Sequence, residues 1–199
     1  QISQQLNHPI LTNINNEKLS EDDLVNFQTL EDAIREKAEI TCTYNGFEFL
    51  VKPLKLALFE GFWYLLLLDS KKGNKFKKFH LKSIKDIKHS GEKFELSSEL
   101  DERVKAMNSA WANLEAPKTA RLLLAPEVAK YFERKPHAKQ RITGQDSDGS
   151  VEIEIEFTHI MEIKPLIYYY LPFIKVLEPK ELADEVKKDV SEYLKEINF

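Results

Sequence analysis

A basic segment with interleaved aromatic residues holds most of the side chains that could do chemistry in this sequence. Residues 71–89, KKGNKFKKFHLKSIKDIKH, contain eight lysines, two histidines and one acid, a net charge of +7 with histidine neutral. The whole chain carries −4, so the remaining residues sum to −11 and the positive charge is local. Such a segment is typical of a site for an anion or a nucleic acid, and equally of a solvated face that aids solubility.

Alternation along a strand indicates which of these side chains share a face. If residues 75–81 form a strand, Phe79 and Leu81 face the core, while Lys78, His80 and Lys82 project the other way. Lysine supplies point charge, so a phosphate group or a single-strand backbone is the ligand that we expect. The expectation for lysines on such a strand is that they are exposed and contribute little to stability.

Catalytic and metal-binding patterns do not occur in the sequence. The five histidines form neither an H-E-x-x-H motif nor an i, i+4 pair, and there is no Walker loop, G-x-G-x-x-G or G-x-S-x-G. DSDGS resembles a calcium loop superficially, but its Gly149 comes too early, which favours a hairpin turn. Glu152, Glu154 and Glu156 alternate with apolar residues, which favours a solvated strand face over a metal site. Cys42 is the single cysteine, so we expect no internal disulfide and no Cys-rich metal site. Because the catalytic motifs are also missing, we expect no metal, no cofactor and no enzymatic activity.

Composition indicates a globular protein, since the 199 residues are 42% hydrophobic and 31% charged. No apolar run approaches the ~20 residues that a helix needs to cross a bilayer, and no basic n-region precedes an apolar h-region near Gln1. We therefore expect a cytoplasmic protein with no membrane partner. Because the chain begins with Gln1 rather than Met, the sequence favours a fragment of a longer protein.

The first half of the chain has the pattern of one helix followed by five short strands. Ser20, which precedes three acids, predicts the N-cap of a helix whose apolar residues recur at helical spacing. Two tight turns separate the first three strands, at Asn45–Gly46 and at 59–61. Pro53 within the second strand predicts a sheet edge or a sharp bend. This order predicts a small Sm-like or SH3-like five-stranded barrel.

The segment GFWYLLLLDS is apolar on both faces of its predicted strand. Trp63 and Leu65 lie on one face, and Tyr64 and Leu66 on the other. In a small, strongly bent barrel one face closes the interior, and the other is covered by the preceding helix, the second domain or a partner subunit. We therefore interpret Trp63 and Tyr64 mainly as packing residues, with the Tyr64 hydroxyl able to orient a ligand at the barrel rim.

The second half of the chain begins with a predicted helical connector over residues 97–117. Val104, Met107, Trp111 and Leu114 mark one face of this helix, which Pro117 ends. The patterns beyond it predict a strand, a helix, a hairpin, a short helix, a strand and a final helix. That order is βαββαβ plus a helix, so the α+β fold is completed by a ferredoxin-like domain.

GFWYLLLLDS resembles the signature strand of the WYL domain of bacterial transcriptional regulators, which is named for the triplet that stands here as Trp63, Tyr64 and Leu65. ITCTYNG, VKPLKLALFEG with its Pro53, and KKFHLKSI are similar to the motifs on either side. From Thr119 onward the chain resembles the C-terminal extension that accompanies WYL domains. The resemblance covers residues 28–199 and implies four parts, namely an arm over 1–27, a WYL domain over 28–96, a connector over 97–117 and an extension domain over 118–199.

The resemblance implies the effector-sensing and dimerisation portion of a transcriptional regulator. The implied ligand is a nucleotide or a nucleic-acid-like anion on the basic strand, bound by Tyr44, Tyr64, Lys77, Lys78, His80, Lys82 and Ser83. The family usually has arginines where this chain has Lys77, His80 and Ser83. The chain therefore lacks the planar bidentate donors that suit phosphate.

A homodimer is the expected oligomer. Residues 166–173, LIYYYLPF, hold more aromatic surface than a short helix can bury within its own domain. No helix-turn-helix fits residues 1–27, so we expect duplex DNA to be bound only through a domain missing from this chain. Two alternatives stay open, a stand-alone Sm-like module that binds single-stranded nucleic acid and a purely structural dimerisation unit.

Overall fold

The computed structural model describes residues 16–197, which form two compact units. The first unit ends at Ala106 and the second begins at Met107, and each has its own hydrophobic core. Most of the predicted arm, residues 1–15, lies outside the described residues. Within the described part of the chain, no helix is long and apolar enough to cross a membrane.

Helix α1, Glu21–Glu36, opens the first unit and begins where the sequence predicts. The Ser20 hydroxyl accepts a hydrogen bond from the Asp23 amide at 3.2 Å, and the Asp23 carboxylate accepts one from the Ser20 amide at 2.8 Å. This capping box satisfies two backbone donors that have no partner inside the helix. Residues 21–27, which lie within the predicted arm, are the first part of α1.

Five antiparallel strands follow α1, as the sequence predicts. They are β1 Ala38–Tyr44, β2 Phe47–Phe59, β3 Phe62–Asp69, β4 Lys75–His80 and β5 Ile84–Lys93. Two-residue turns join the first three strands. The residues of these turns all have positive φ, as tight hairpin turns of this kind require, namely Asn45, Gly46, Glu60 and Gly61.

The sheet has the order β4-β3-β2-β1-β5 and is strongly curled. Tyr44 of β1 stacks on Phe79 of β4 with ring centroids 3.9 Å apart, although two strands separate β1 from β4 in the sheet. A 3-10 turn, Leu81–Ser83, leads from β4 into β5. The curled sheet and α1 enclose a core to which Leu30 and Leu65 contribute fully buried side chains.

Pro53 and Cys42 are two residues of this sheet for which the structure can be compared with the expectation from the sequence. Pro53 lies in β2, between β1 and β3, so the predicted sheet edge is wrong. The strand register shifts between Pro53 and Lys55, which accommodates a residue that has no N–H to donate. Cys42 in β1 is 2% exposed, and burial raises the pKa of its thiol to about 11.

Helix α2, Ser98–Lys105, is much shorter than the predicted connector. The residues after it form turns, because polar side chains bind nearby backbone N–H groups in place of a helical ladder. The Ser109 hydroxyl accepts from the Trp111 amide at 3.0 Å, and the Asn113 side chain accepts from the Glu115 amide at 2.7 Å. The prediction of a helix through Leu114 is therefore wrong.

The second unit has the predicted βαββαβ order followed by a helix. Its elements are β6 Lys118–Leu124, α3 Pro126–Arg134, β7 Gln140–Gln145, β8 Val151–Phe157, α4 Lys164–Tyr169, β9 Ile174–Glu178 and α5 Lys180–Ile197. The strands are antiparallel in the order β7-β8-β6-β9, which is the ferredoxin-like arrangement. The predicted α+β fold class is confirmed.

Side chains on the two faces of the second sheet differ in character. Ile153 and Ile155 of β8 are fully buried in the core, whereas Glu152 and Glu154, which alternate with them, have arginine partners. Glu152 lies 2.8 Å from Arg121, and Glu154 pairs with Arg141. Ion pairs of this kind agree with a solvated strand face.

The aromatic segment 166–173 is only partly covered within the second unit. Ile167 of α4 is fully buried, but Tyr169 is 79% exposed, and Leu171 and Phe173 are exposed as well. Exposed apolar side chains in one short segment are typical of a surface that contacts another molecule. The homodimer that the sequence predicts through this segment stays a prediction.

Candidate anion-binding site of the first unit

Lys77 of β4 is not the exposed basic residue that the sequence predicts. Its Nζ lies 2.7 Å from Asp69 Oδ2 and 4.6 Å from the centre of the Phe49 ring. The Asp69 side chain is 1% exposed and that of Lys77 is 23% exposed. Lys77 therefore forms a largely buried ion pair with Asp69. Its burial follows from the alternation of side chains along β4, which puts Lys77 on the same face as Phe79.

The local environment keeps Asp69 ionised. Burial raises the pKa of the carboxyl, but the hydrogen bond from Lys77, its charge and the Lys71 amide outweigh this and hold the pKa below its ordinary value. The same carboxylate caps the 3-10 turn that follows β3, since it accepts from the Lys71 amide at 3.1 Å. Asp69 thus ties β4 to the end of β3, and Lys77 is already neutralised.

His80, the last residue of β4, lies among aromatic rings. Its ring centroid is 5.7 Å from that of Tyr64 and 5.9 Å from that of Phe62. The His80 amide donates to the Tyr44 hydroxyl at 3.4 Å. Burial, followed by neighbouring carboxylates, raises the pKa of Tyr64, so its hydroxyl keeps its proton. The structure thus brings Tyr44, Tyr64 and His80 together.

A carboxylate lies beside His80 in this cluster. Glu17 Oε1 accepts a 2.6 Å hydrogen bond from the Trp63 amide, and Glu17 Oε2 lies 3.1 Å from His80 Nε2. The Glu17 side chain is only 9% exposed. His80 Nε2 is itself buried and makes no hydrogen bond of good geometry, so the contact with Glu17 is close without being well directed.

Glu17 belongs to a short segment, residues 16–20, that we call the strap. The Glu17 amide donates to the Gly61 carbonyl at 2.8 Å. Lys82 Nζ donates to the Lys18 carbonyl at 3.0 Å and lies 4.0 Å from Asp23. The strap therefore passes over the β2–β3 turn and the end of β4 before α1 begins.

The remaining predicted site residues lie around this cluster. Lys78 is half-buried, pairs across the sheet with Leu66 and has its Nζ 5.6 Å from the Phe76 ring. Ser83 is half-buried in the 3-10 turn that follows β4. Of the seven predicted residues, the structure groups Tyr64, His80 and Lys82 near the strap and places Lys77 on the opposite face of β4. The Tyr44 hydroxyl reaches the His80 amide, while the Tyr44 ring stacks on Phe79. Ligand contact by any of them stays a prediction.

Trp63 and Leu65 of the signature strand serve packing. The Trp63 ring meets the Phe27 ring of α1 edge to face, with centroids 5.0 Å apart. Leu65 is fully buried in the same core. Helix α1 therefore covers this face of β3. The contact between the Trp63 ring and α1 also fixes the position of the Trp63 amide, which donates to Glu17.

Glu17 could not be found by sequence reasoning. It lies in a segment without periodicity, and its contacts are to residues far along the chain. Asp69 did leave a signal, because it is the acid that closes an apolar strand just before the basic segment. An acid in that position is well placed to pair with one of the lysines that follow.

The chain matches the WYL domain family over residues 25–89 and the WCX domain family over residues 116–194. It is therefore a WYL-domain protein in which a WCX domain follows the WYL domain. The resemblance drawn from the sequence is confirmed, including the order of the two domains. The signature strand, the His80 cluster and Lys82 all lie within the matched WYL domain.

Similarity to individual proteins is partial. The chain is 33% identical over 119 residues to a polyribonucleotide nucleotidyltransferase from Campylobacter concisus, an alignment that covers 54% of this chain and 16% of that protein. A CRISPR Cas-related protein of known structure is 13% identical with a TM-score of 0.59, covering 89% of this chain and 53% of that one, and shares the fold. PafBC of Arthrobacter aurescens is 17% identical with a TM-score of 0.40, covering 94% and 29%. The chain spans only part of each of these proteins.

Proposed function

We propose that this chain is the effector-sensing and dimerising portion of a WYL-type transcriptional regulator, and that its ligand is an anion bound beside His80. The observation that carries the proposal is the Glu17 carboxylate, which lies in a buried position between the Trp63 amide and His80 Nε2. A site that accommodates one anionic group from its own chain has the donors to accept another. No catalytic role is part of the proposal.

The surroundings favour a ligand with both a phosphate and a flat ring. Phe62 is exposed and Tyr64 half-exposed beside His80, which offers ring surface for a nucleobase. Bases stack on such rings with little sequence preference. Lys82 adds a flexible cation at the edge of the cluster. A nucleotide and a short single-stranded nucleic acid share this chemistry, and both are candidates.

Lysine and histidine in place of arginine predict how this ligand binds. Lys82 is a point charge on a flexible stem, so it attracts phosphate without imposing a bidentate geometry. Binding should therefore depend strongly on salt and weakly on base sequence. Contact with duplex DNA would come from another domain of the regulator, because the described residues form no helix-turn-helix.

Fluorescence anisotropy with a ten-nucleotide oligothymidylate that carries a 5′-phosphate and a 3′ label tests the proposal. We expect the double variant His80→Gln/Lys82→Gln to bind about tenfold or more weakly and to show a smaller salt slope, because it loses donors to phosphate. Lys75→Gln is the matched control, since this exposed lysine lies at the far end of β4. Adenosine monophosphate as a competitor distinguishes a nucleotide site from one that needs a longer strand.

Three outcomes contradict the proposal in different ways. An equal loss in Lys75→Gln and in the double variant would show diffuse attraction to the basic segment rather than a site at His80. Unchanged affinity in the double variant, with a folded protein, would place binding elsewhere and favour a stand-alone module that binds nucleic acid on another surface. A wild-type chain that dimerises and binds neither probe would favour the purely structural dimerisation unit.

A further inference from the structure

The strap uses the same donors that the proposed ligand would need. Trp63 donates its amide to Glu17, His80 Nε2 lies 3.1 Å from the same carboxylate, and Lys82 donates to the Lys18 carbonyl. We infer that Glu17 is an intramolecular competitor of the anionic ligand, and that ligand binding displaces the strap. This inference rests on the proposed function and names how that site is regulated.

Glu17 satisfies these donors incompletely. One of its oxygens accepts from the Trp63 amide at 2.6 Å, but the buried His80 Nε2 has no hydrogen bond of good geometry. A carboxylate has two oxygens in one plane, whereas a terminal phosphate monoester presents three in a tetrahedral arrangement. A terminal phosphate therefore has one oxygen for each of the Trp63 amide, His80 and Lys82. This difference in geometry gives a phosphate ligand an advantage over Glu17.

The strap can leave without unfolding α1. Before Ser20, it is held by the Glu17 contacts, by the Glu17 amide on the Gly61 carbonyl, by Lys82 on the Lys18 carbonyl and by Leu19, which is half-buried against the core of the first unit. The capping box of Ser20 and Asp23 is separate from these contacts and fixes the start of the helix. Displacement would therefore affect residues 16–18 and stop at Leu19, which packs against the core. Binding at His80 would in this way change the chain that precedes α1.

Amide hydrogen exchange of the full chain, followed by NMR, tests the contact itself. In Glu17→Ala we expect the Trp63 amide to exchange about tenfold faster, because it loses a hydrogen bond to a charged acceptor. Glu21→Ala is the control, since it removes the same charge from the exposed first turn of α1. The Leu30 amide should be unchanged in both variants and reports an intact fold. Equal exchange of Trp63 in wild type and Glu17→Ala would overturn the inference.

Binding of the labelled oligothymidylate tests the competition. Glu17→Ala should bind about tenfold more tightly than wild type, while Glu21→Ala should match wild type. Saturating oligonucleotide should also accelerate exchange of the Glu17 amide in the wild-type chain, because that amide leaves the Gly61 carbonyl.

The outcomes separate the inference from the proposed function. If wild type and Glu17→Ala bind equally well, Glu17 does not compete and the proposed function still stands. If Glu21→Ala gains as much affinity as Glu17→Ala, the gain is general electrostatics and the competitor role is wrong. If no variant binds, the proposed function is wrong and the competitor role falls with it.

Discussion

Replacing Lys77 with methionine should destabilise the first unit by more than an ordinary surface substitution does. Methionine keeps much of the apolar stem that packs near Phe49 but removes the ammonium group that lies 2.7 Å from Asp69. The Asp69 carboxylate would then be buried at 1% exposure without its cation. Of the contacts described above, it would keep only the hydrogen bond from the Lys71 amide. An unpaired buried charge is among the few causes of large losses in stability.

The magnitude follows from the burial of the two partners. Removing one partner of a fully buried ion pair costs about 3–5 kcal/mol, and an exposed pair contributes about 0–1 kcal/mol. Lys77 is 23% exposed and Asp69 keeps the Lys71 amide, which places this pair between those limits. We expect a loss of about 2 kcal/mol in the free energy of unfolding.

Urea unfolding followed by Trp63 fluorescence measures this loss, with Trp111→Phe as the common background so that the signal comes from the first unit. Lys75→Met is the matched control, because this exposed lysine begins the same strand, and it should change stability by less than about 0.5 kcal/mol. Similar stabilities of Lys77→Met and Lys75→Met would refute the assignment of a buried ion pair.

The contribution of Asp69 to the pH dependence of the unfolding free energy should differ between the two proteins at acid pH. In wild type the pKa of Asp69 is lowered on folding, so the stability it contributes is present above its unfolded pKa and is lost as pH falls through the folded value. In Lys77→Met the ammonium group no longer offsets burial, so we expect the pKa of Asp69 to be higher than in wild type. Protonation then relieves the buried charge, and the difference between the proteins should shrink as pH falls.

Two further predictions concern other parts of the chain. Cys42 should react with iodoacetamide far more slowly in the native protein than in urea at pH 8, because its thiol is buried and has a pKa of about 11, and fast labelling of the folded chain would contradict this. Light scattering should give a dimer at micromolar concentration and a shift toward monomer in Tyr169→Glu, which places a charge on the exposed aromatic segment, whereas a wild-type monomer would refute dimerisation.

The strands of the first unit were predictable because their signals are local. Asn45–Gly46 and Glu60–Gly61 adopt the positive φ that the turns need, and the strands between them are apolar at the period of a sheet. The helix through Leu114 was wrong for an equally physical reason. Ser109 and Asn113 bind backbone amides in turns, and this competes with a helical pattern that consists of only a few apolar residues.

The candidate site was predictable only in part. The alternation of side chains along a strand predicts which face of the sheet each one lies on, but not which residues it contacts. Tyr44, Tyr64 and His80 do meet, since strand register brings β3 and β4 together and the curl of the sheet adds β1. The pairing of Lys77 with Asp69 required knowing which acid lies on the neighbouring strand. Glu17 needed the path of a segment that carries no pattern at all.

The register of β5 has a consequence for how the chain behaves among its own copies. This strand ends the first sheet, its pairing with β1 shifts twice, and Asp86 has a positive φ of 53°. Exposed strand edges can template the addition of a strand from another molecule, and natural proteins prevent this with irregular backbone and with lysines. Lys85 and Lys88 are exposed on this edge. We therefore expect part of the positive charge of residues 71–89 to protect the chain from aggregation. Neutralising those two lysines should promote fibrous or amorphous assembly and leave ligand binding unchanged.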